Sequence, residues 1–191
     1  MANATQITTG KVRFSYLNVF EPRSSMGEGG ELKYSVTLLI PKSDKATLAK
    51  VNKAMEAAKA AYLTKNNGKK LPANLKHTIH DGDGERPNGE AFNEECKGHF
   101  VITVSSKHQP VICYADKTPI TEPKELFSGC YGRAIINFFV YDTAGSKGIS
   151  AGLNGIMKLY DGEPLGGGVV TDEDWDDDWE DDEDDSESML D

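Results

Sequence analysis

Between residues 11 and 20 the chain alternates, with Val12, Phe14 and Tyr16 on one face and Lys11, Arg13 and Ser15 on the other. That period predicts a half-buried strand. Glycine and proline crowd the next segment, EPRSSMGEGGE, and predict a mobile loop. Alternation resumes over 32–40, where Leu32, Tyr34, Val36, Leu38 and Ile40 share a face until Pro41 ends the run.

The period then changes. Leu48, Val51, Met55, Ala58 and Tyr62 recur at steps of three and four, one stripe of a helix over about 44–64. Ser43 stands at the N-cap position, Asp44 suits the positive helix end, and Asn67-Gly68 closes it. Lys45, Lys50, Lys53 and Lys59 fall elsewhere on the helix and read as a solvated face.

Residues 81–98 are polar and glycine-rich. Asp81, Asp83 and Glu85 imitate the start of a calcium loop, but Arg86 stands where such a loop needs glycine and Phe92 where it needs glutamate. His77 and His80 have no matching Cys or His pair, so neither a metal nor a cofactor is expected. Strands return at 99–105 and 111–114, and again at 131–141 and 149–160 around a DTAGSKG turn. Five or more short strands with one long inserted helix make an α+β chain, mainly β. An OB-type antiparallel barrel suits that order, with a small sandwich as the alternative.

Charge changes the picture. Of 191 residues, 31 are acidic and 21 are Lys or Arg, a net charge of −10. Residues 172–191 hold 14 of the acids and no base, which leaves the rest of the chain at +4. We read a domain over 1–161, a Gly-rich linker over 162–171 and a disordered acidic tail over 172–191. Three widely spaced cysteines suggest reduced thiols in a cytoplasm, and neither a signal peptide nor a membrane-spanning run is visible.

Catalytic motifs are missing, which turns attention to binding. Alternation over 131–141 puts Tyr131, Arg133, Ile135, Asn137, Phe139 and Tyr141 on one face, opposite the apolar Gly132, Ala134, Ile136, Phe138 and Val140. Exposed aromatics can stack bases while nearby cations neutralise phosphates. The candidate nucleic-acid contacts are therefore Tyr131, Phe139 and Tyr141 as stacking groups. Lys11, Arg13, Lys33, Lys107 and Arg133 are the cations, and the loop near 24–30 could fold over the strand. In the tail, Trp175 and Trp179 interrupt the acids and Met189-Leu190 lies near the end. Negative charge interleaved with flat rings mimics a single strand. The tail is expected to compete for the same groove, within a reach of about 70 Å. A rival reading is a DNA mimic whose tail inhibits a host DNA-binding enzyme. A second is a metal-dependent nuclease built on the carboxylates at 81–85.

Several ordered stretches, DGDG at 81–84, SKHQPVI at 106–112, FSGCYGRAIINFFVYD at 127–142 and KGISAGLNGIMKLYDGEPLGG at 147–167, resemble a family of tailed-phage single-stranded DNA-binding proteins. KVRFSYLNVFEP and KYSVTLLIPK fit the same pattern. The resemblance implies an OB-fold core that coats single-stranded DNA in phage replication or recombination, in the cytoplasm of the bacterial host. It also implies an acidic tail that recruits replication proteins. Because the chain closes Ser188-Met189-Leu190-Asp191 without a terminal Phe or Pro, the expected partner is a phage polymerase, helicase or recombinase.

Overall fold

A computed structural model describes residues 3–24, 28–68, 70–72, 75–86, 88–143 and 146–165. The strands are β1 (Gln6–Thr8), β2 (Val12–Ser24), β3 (Leu32–Pro41), β4 (Lys76–His77), β5 (Ile79–Asp81), β6 (His99–Ser106), β7 (Val111–Tyr114), β8 (Tyr131–Thr143) and β9 (Ser146–Tyr160). The helix α1 spans Lys45–Lys65.

Five strands close a ring. β2 pairs with β3, β3 with β6, β6 with β9 and β9 with β8, and β8 returns to β2 through Val12↔Gly132 and Arg13↔Tyr131. All these pairings are antiparallel except β6–β9, which meets at Ser105↔Gly152. The expected α+β, mainly β barrel of the OB type is the observed architecture. The short strands β1, β4, β5 and β7 extend its edges, β4 and β7 running parallel to β9.

The barrel interior follows the alternation. Val12, Phe14 and Val19 from β2 meet Val36, Leu38 and Ile40 from β3 and Ile102 and Val104 from β6. Ala134, Ile136 and Phe138 of β8 face Leu153 and Ile156 of β9 in the same core. On the outer side, β9 presents glycines to the bulky outward residues of β8. Tyr141 lies over Gly148, where a Cβ would come within 2.5 Å of its hydroxyl, and Asn137 lies over Gly152. Glycine is required there because the β8 side chains occupy that space.

Several expected boundaries move. Composition predicts a loop over EPRSSMGEGGE, yet β2 continues through Ser24, because Arg23 and Ser24 pair with Lys33 and Leu32. The β8–β9 ribbon runs on to the pair Thr143↔Ser146, which shortens the DTAGSKG turn. Asp44, not Ser43, caps α1: its carboxylate accepts from the Thr47 amide at 3.1 Å and the Thr47 hydroxyl at 2.6 Å. The Thr47 hydroxyl in turn accepts from the Gly10 amide at 2.8 Å, locking the helix start to the β1–β2 link. The buried face of α1 is Thr47, Val51, Ala54, Ala58 and Tyr62, so Leu48 and Met55 sit at its margin.

Candidate nucleic-acid interface

Rows of outward side chains cross β2, β3 and β6. The register aligns Arg13, Leu39 and Val101, then Ser15, Thr37 and Thr103, then Asn18, Ser35 and Ser105. Arg23 stands opposite Lys33 at the end, and Lys107 follows β6 on the same side. The middle rows thus form a floor of small hydroxyls, with Thr37 and Thr103 in contact at 3.2 Å. The floor ends on cations. Lys107 and Lys33 both reach Glu31, at 2.7 and 3.5 Å, and these lysines, Lys107 foremost, hold the Glu31 carboxyl below its ordinary pKa.

The other end is walled into an open groove of about 440 Å³, lined by Ser15, Tyr16, Thr37, Arg86, Phe92 and Thr103 among others. One wall is Tyr16. Simple alternation puts Tyr16 inside with Phe14, and the structure corrects this. A bulge between Ser15 and Asn18 sets Tyr16 at φ 46 and turns it out, 57 % exposed. The Asn93 side-chain amide donates to its hydroxyl at 3.2 Å. The facing wall is a small hairpin in the 82–98 segment, where the Arg86 amide donates to the Glu90 carbonyl and Glu85 bridges Ala91. The Arg86 guanidinium lies 5.4 Å from the Phe92 ring centroid, and its buried Nε has no hydrogen-bond partner among the described residues. His80 lies 6.3 Å from the same ring, and burial followed by the nearby His77 lowers its pKa.

The candidate contacts named from the sequence divide between faces. Lys33 and Lys107 stand at the cationic end of the hydroxyl floor. Lys11, Arg13 and Tyr131 meet on the adjoining β2–β8 surface, joined by Tyr160. The two tyrosine rings stack at 5.2 Å, and the Lys11 Nζ lies 5.8 Å from Tyr131 and 5.4 Å from Tyr160. Tyr160 chiefly raises the Lys11 pKa. Arg133 stands apart, its Nε donating to the Thr9 carbonyl at 2.9 Å beside an apolar pocket of Val111, Ile135 and Met157. Phe139 and Tyr141 lie toward the far end of β8, Phe139 exposed beside Tyr62 of α1.

Alternation does not point to Tyr16, Arg86, Phe92 or Tyr160 as surface groups of this kind. Arg86 and Phe92 carry only a weak signal, an arginine and an aromatic inside a polar, glycine-rich stretch.

Beyond β9 the chain crosses this surface as a strap. Arg13 holds it, donating to the Gly129 carbonyl at 3.2 Å and the Glu163 carbonyl at 2.7 Å. The Leu165 amide donates to the Ser128 carbonyl at 2.9 Å, and the Leu165 side chain packs on the cluster of Leu39, Cys96 and Val101, the last two of which also line the groove. Residues 161–165 are therefore fixed to the barrel, although composition alone makes linker of all but the first. Trp175, Trp179, Met189 and Leu190 lie outside the described residues.

The carboxylates at 81 and 83 serve structure. Both pair with Lys42 at 2.6 Å, and Lys42 lowers both of their pKa values. Among the described residues no His, Cys, Asp or Glu cluster is placed to hold a metal. Cys96 and Cys130 are buried free thiols and Cys113 is half-buried.

Comparison with known proteins joins these features. Residues 5–187 match the family described as Enterobacter phage Enc34, ssDNA-binding protein. Putative protein p50 of Acyrthosiphon pisum secondary endosymbiont phage 1 is 28% identical over 178 residues, covering 90% of this chain and 92% of that one. A C-terminal truncation of the single-stranded DNA-binding protein of bacteriophage Enc34 superposes with a TM-score of 0.71 at 27% identity, over 85% of this chain and 90% of that one. The same phage protein in complex with ssDNA gives 0.66 at 28% identity, over 86% and 91%. The gp2.5 single-stranded DNA-binding protein of bacteriophage T7, at 13% identity and a TM-score of 0.60, covers 90% of this chain and 99% of its own and shares the fold. On the match over most of its length, the chain belongs to the Enc34 phage ssDNA-binding protein family.

Proposed function

We propose that this chain binds single-stranded DNA, largely without reading its sequence, on the outer face of β2, β3 and β6. The carrying observation is the ordered floor of hydroxyls that ends on Arg23, Lys33 and Lys107. Hydroxyls and cations meet a sugar–phosphate backbone without choosing among bases. The solved ssDNA complex of a family relative supports the same reading. The Lys11–Tyr131–Tyr160 cluster is the next contact, past the strap, with stacked rings beside an ammonium.

The acidic segment begins seven residues beyond Leu165, which packs on Cys96 and Val101 of the groove lining. Seven residues span at most about 25 Å, so residues 172–191 reach the groove and compete with DNA for its cations. When DNA displaces them, Trp175, Trp179, Met189 and Leu190 become available to a phage polymerase, helicase or recombinase. The setting of this activity is phage replication or recombination in the host cytoplasm.

A titration of a fluorescent oligo(dT) with the full chain and with residues 1–171 tests the reading. The shorter chain binds more tightly, most strongly at low salt, because the competitor is gone. Equal affinity at every salt concentration defeats the competition. Failure of both chains to bind leaves the DNA-mimic reading in its place.

A further inference from the structure

Tyr16 combines two costs that a purely structural residue has no reason to carry. Its backbone sits at φ 46, a region bulky side chains rarely occupy, and its ring is left 57 % exposed to water. Also lining the groove, the Arg86 guanidinium lies 5.4 Å from the Phe92 ring centroid with its Nε lacking a partner among the described residues. A buried donor left unsatisfied is unfavourable unless something else supplies an acceptor. The lining between them includes the small Ser15, Thr37 and Thr103, and His80, Asn88, Cys96 and Val101 complete it.

Resting on the reading above, we propose that this pocket takes one unstacked nucleotide of the strand. Its base lies against the Tyr16 ring, and Arg86 donates to an oxygen of that nucleotide. The bulge in β2 exists to stand the ring out of the sheet, and the Asn93 amide on its hydroxyl fixes the ring's direction. The Phe92 ring beside the guanidinium limits the directions open to its donors. Every base has a flat face, so the pocket is compatible with binding that ignores sequence. The acceptor for Arg86 is either a phosphate oxygen or a base carbonyl.

The experiment uses the full chain, with Tyr16→Gly and Tyr16→Asn as the informative variants because both residues tolerate positive φ. Binding to oligo(dT), to an abasic oligomer of equal length and to a methylphosphonate oligo(dT) is measured by anisotropy, alongside urea unfolding. Both Tyr16 variants weaken oligo(dT) binding by about five- to hundredfold, the range expected when one stack is removed. They bind the abasic oligomer as the parent does, and their unfolding midpoints equal or exceed the parent's. Arg86→Ala loses affinity for oligo(dT). If its deficit disappears on the methylphosphonate strand the acceptor is phosphate, and if it disappears on the abasic strand the acceptor is the base. Unchanged oligo(dT) affinity in both Tyr16 variants overturns the pocket. If Lys33→Ala/Lys107→Ala still weakens binding in that case, the groove survives without it. A parent chain that binds none of the oligomers overturns groove and pocket together.

Discussion

Arg13 Nη2 donates to the carbonyl oxygen of Glu163 at 2.7 Å, a bond between residues 150 positions apart that ties the end of the barrel to its first long strand. The same guanidinium bonds the Gly129 carbonyl and covers the Tyr131 ring at 5.4 Å. Arg13 is therefore a clasp for the strap as well as a cation near the proposed path.

Arg13→Ala is expected to release residues 161–165. Hydrogen bonds from a charged donor contribute about 1.5–3 kcal/mol each, and water partly replaces them at this half-exposed site. A loss of about 1–2 kcal/mol is expected by urea unfolding, with faster proteolysis near residue 163. A variant as resistant as the parent shows that Leu165 packing alone holds the strap.

Glu31 restrains the two groove lysines, so its removal has a sign opposite to theirs. Glu31→Gln tightens oligo(dT) binding, because Lys33 and Lys107 are freed for phosphates. Lys107→Ala weakens it and makes the plot of log K against log salt shallower by about 0.7 for each phosphate left without its cation. The check is a salt series on all three chains. Identical slopes would place the phosphates elsewhere.

Two glycines on the β8–β9 ribbon should respond oppositely to alanine. A Cβ on Gly132 meets the fully buried Phe14 ring at 2.7 Å and the Met157 backbone carbonyl, so Gly132→Ala loses about 1–3 kcal/mol or more. On Gly155 the nearest atoms, from Ile135 and Val111, are at 3.6 Å, ordinary contact, so Gly155→Ala is tolerated. Denaturant midpoints of the two variants decide the comparison.

The acid dependence of stability between pH 7 and pH 5 is assigned to His80. Its folded pKa is lowered by burial and by His77, so the unfolded chain binds more protons. Stability holds above the unfolded value of about 6.5 and declines as pH falls through it. Glu31, Asp81 and Asp83 are shifted down, so their contribution persists through this window and fades only below about pH 4. His80→Gln should flatten the midpoint profile from pH 7 to pH 5. An unaltered slope assigns the dependence to another group.

Local pattern accounts for much of the molecule. The period of two marked the core faces of β3, β8 and the first residues of β2, and the period of 3.6 marked α1, because burying one face demands a repeat that matches the backbone geometry. The division of charge was legible too, since it needs only counting. Pairing was not. The β8 face chosen for its aromatics is divided in the fold, because Arg133 satisfies the Thr9 carbonyl and Tyr141 fills the space over Gly148.

By itself the sequence determined the longer strands and the helix, though not the short edge strands β1, β4 and β5, and that a body of net charge +4 carries an acidic segment of opposite sign. Only the tertiary structure decided that Tyr16 faces out, that Lys33 and Lys107 share one end of a hydroxyl floor, and that Arg86 and Phe92 wall the groove at its other end. The reason is physical. One extra residue in β2 between Ser15 and Asn18 reverses the facing of the side chains that follow, until a second irregularity before Arg23 restores it, and local propensity records neither insertion. The groove's walls come from segments that meet only when the ring closes.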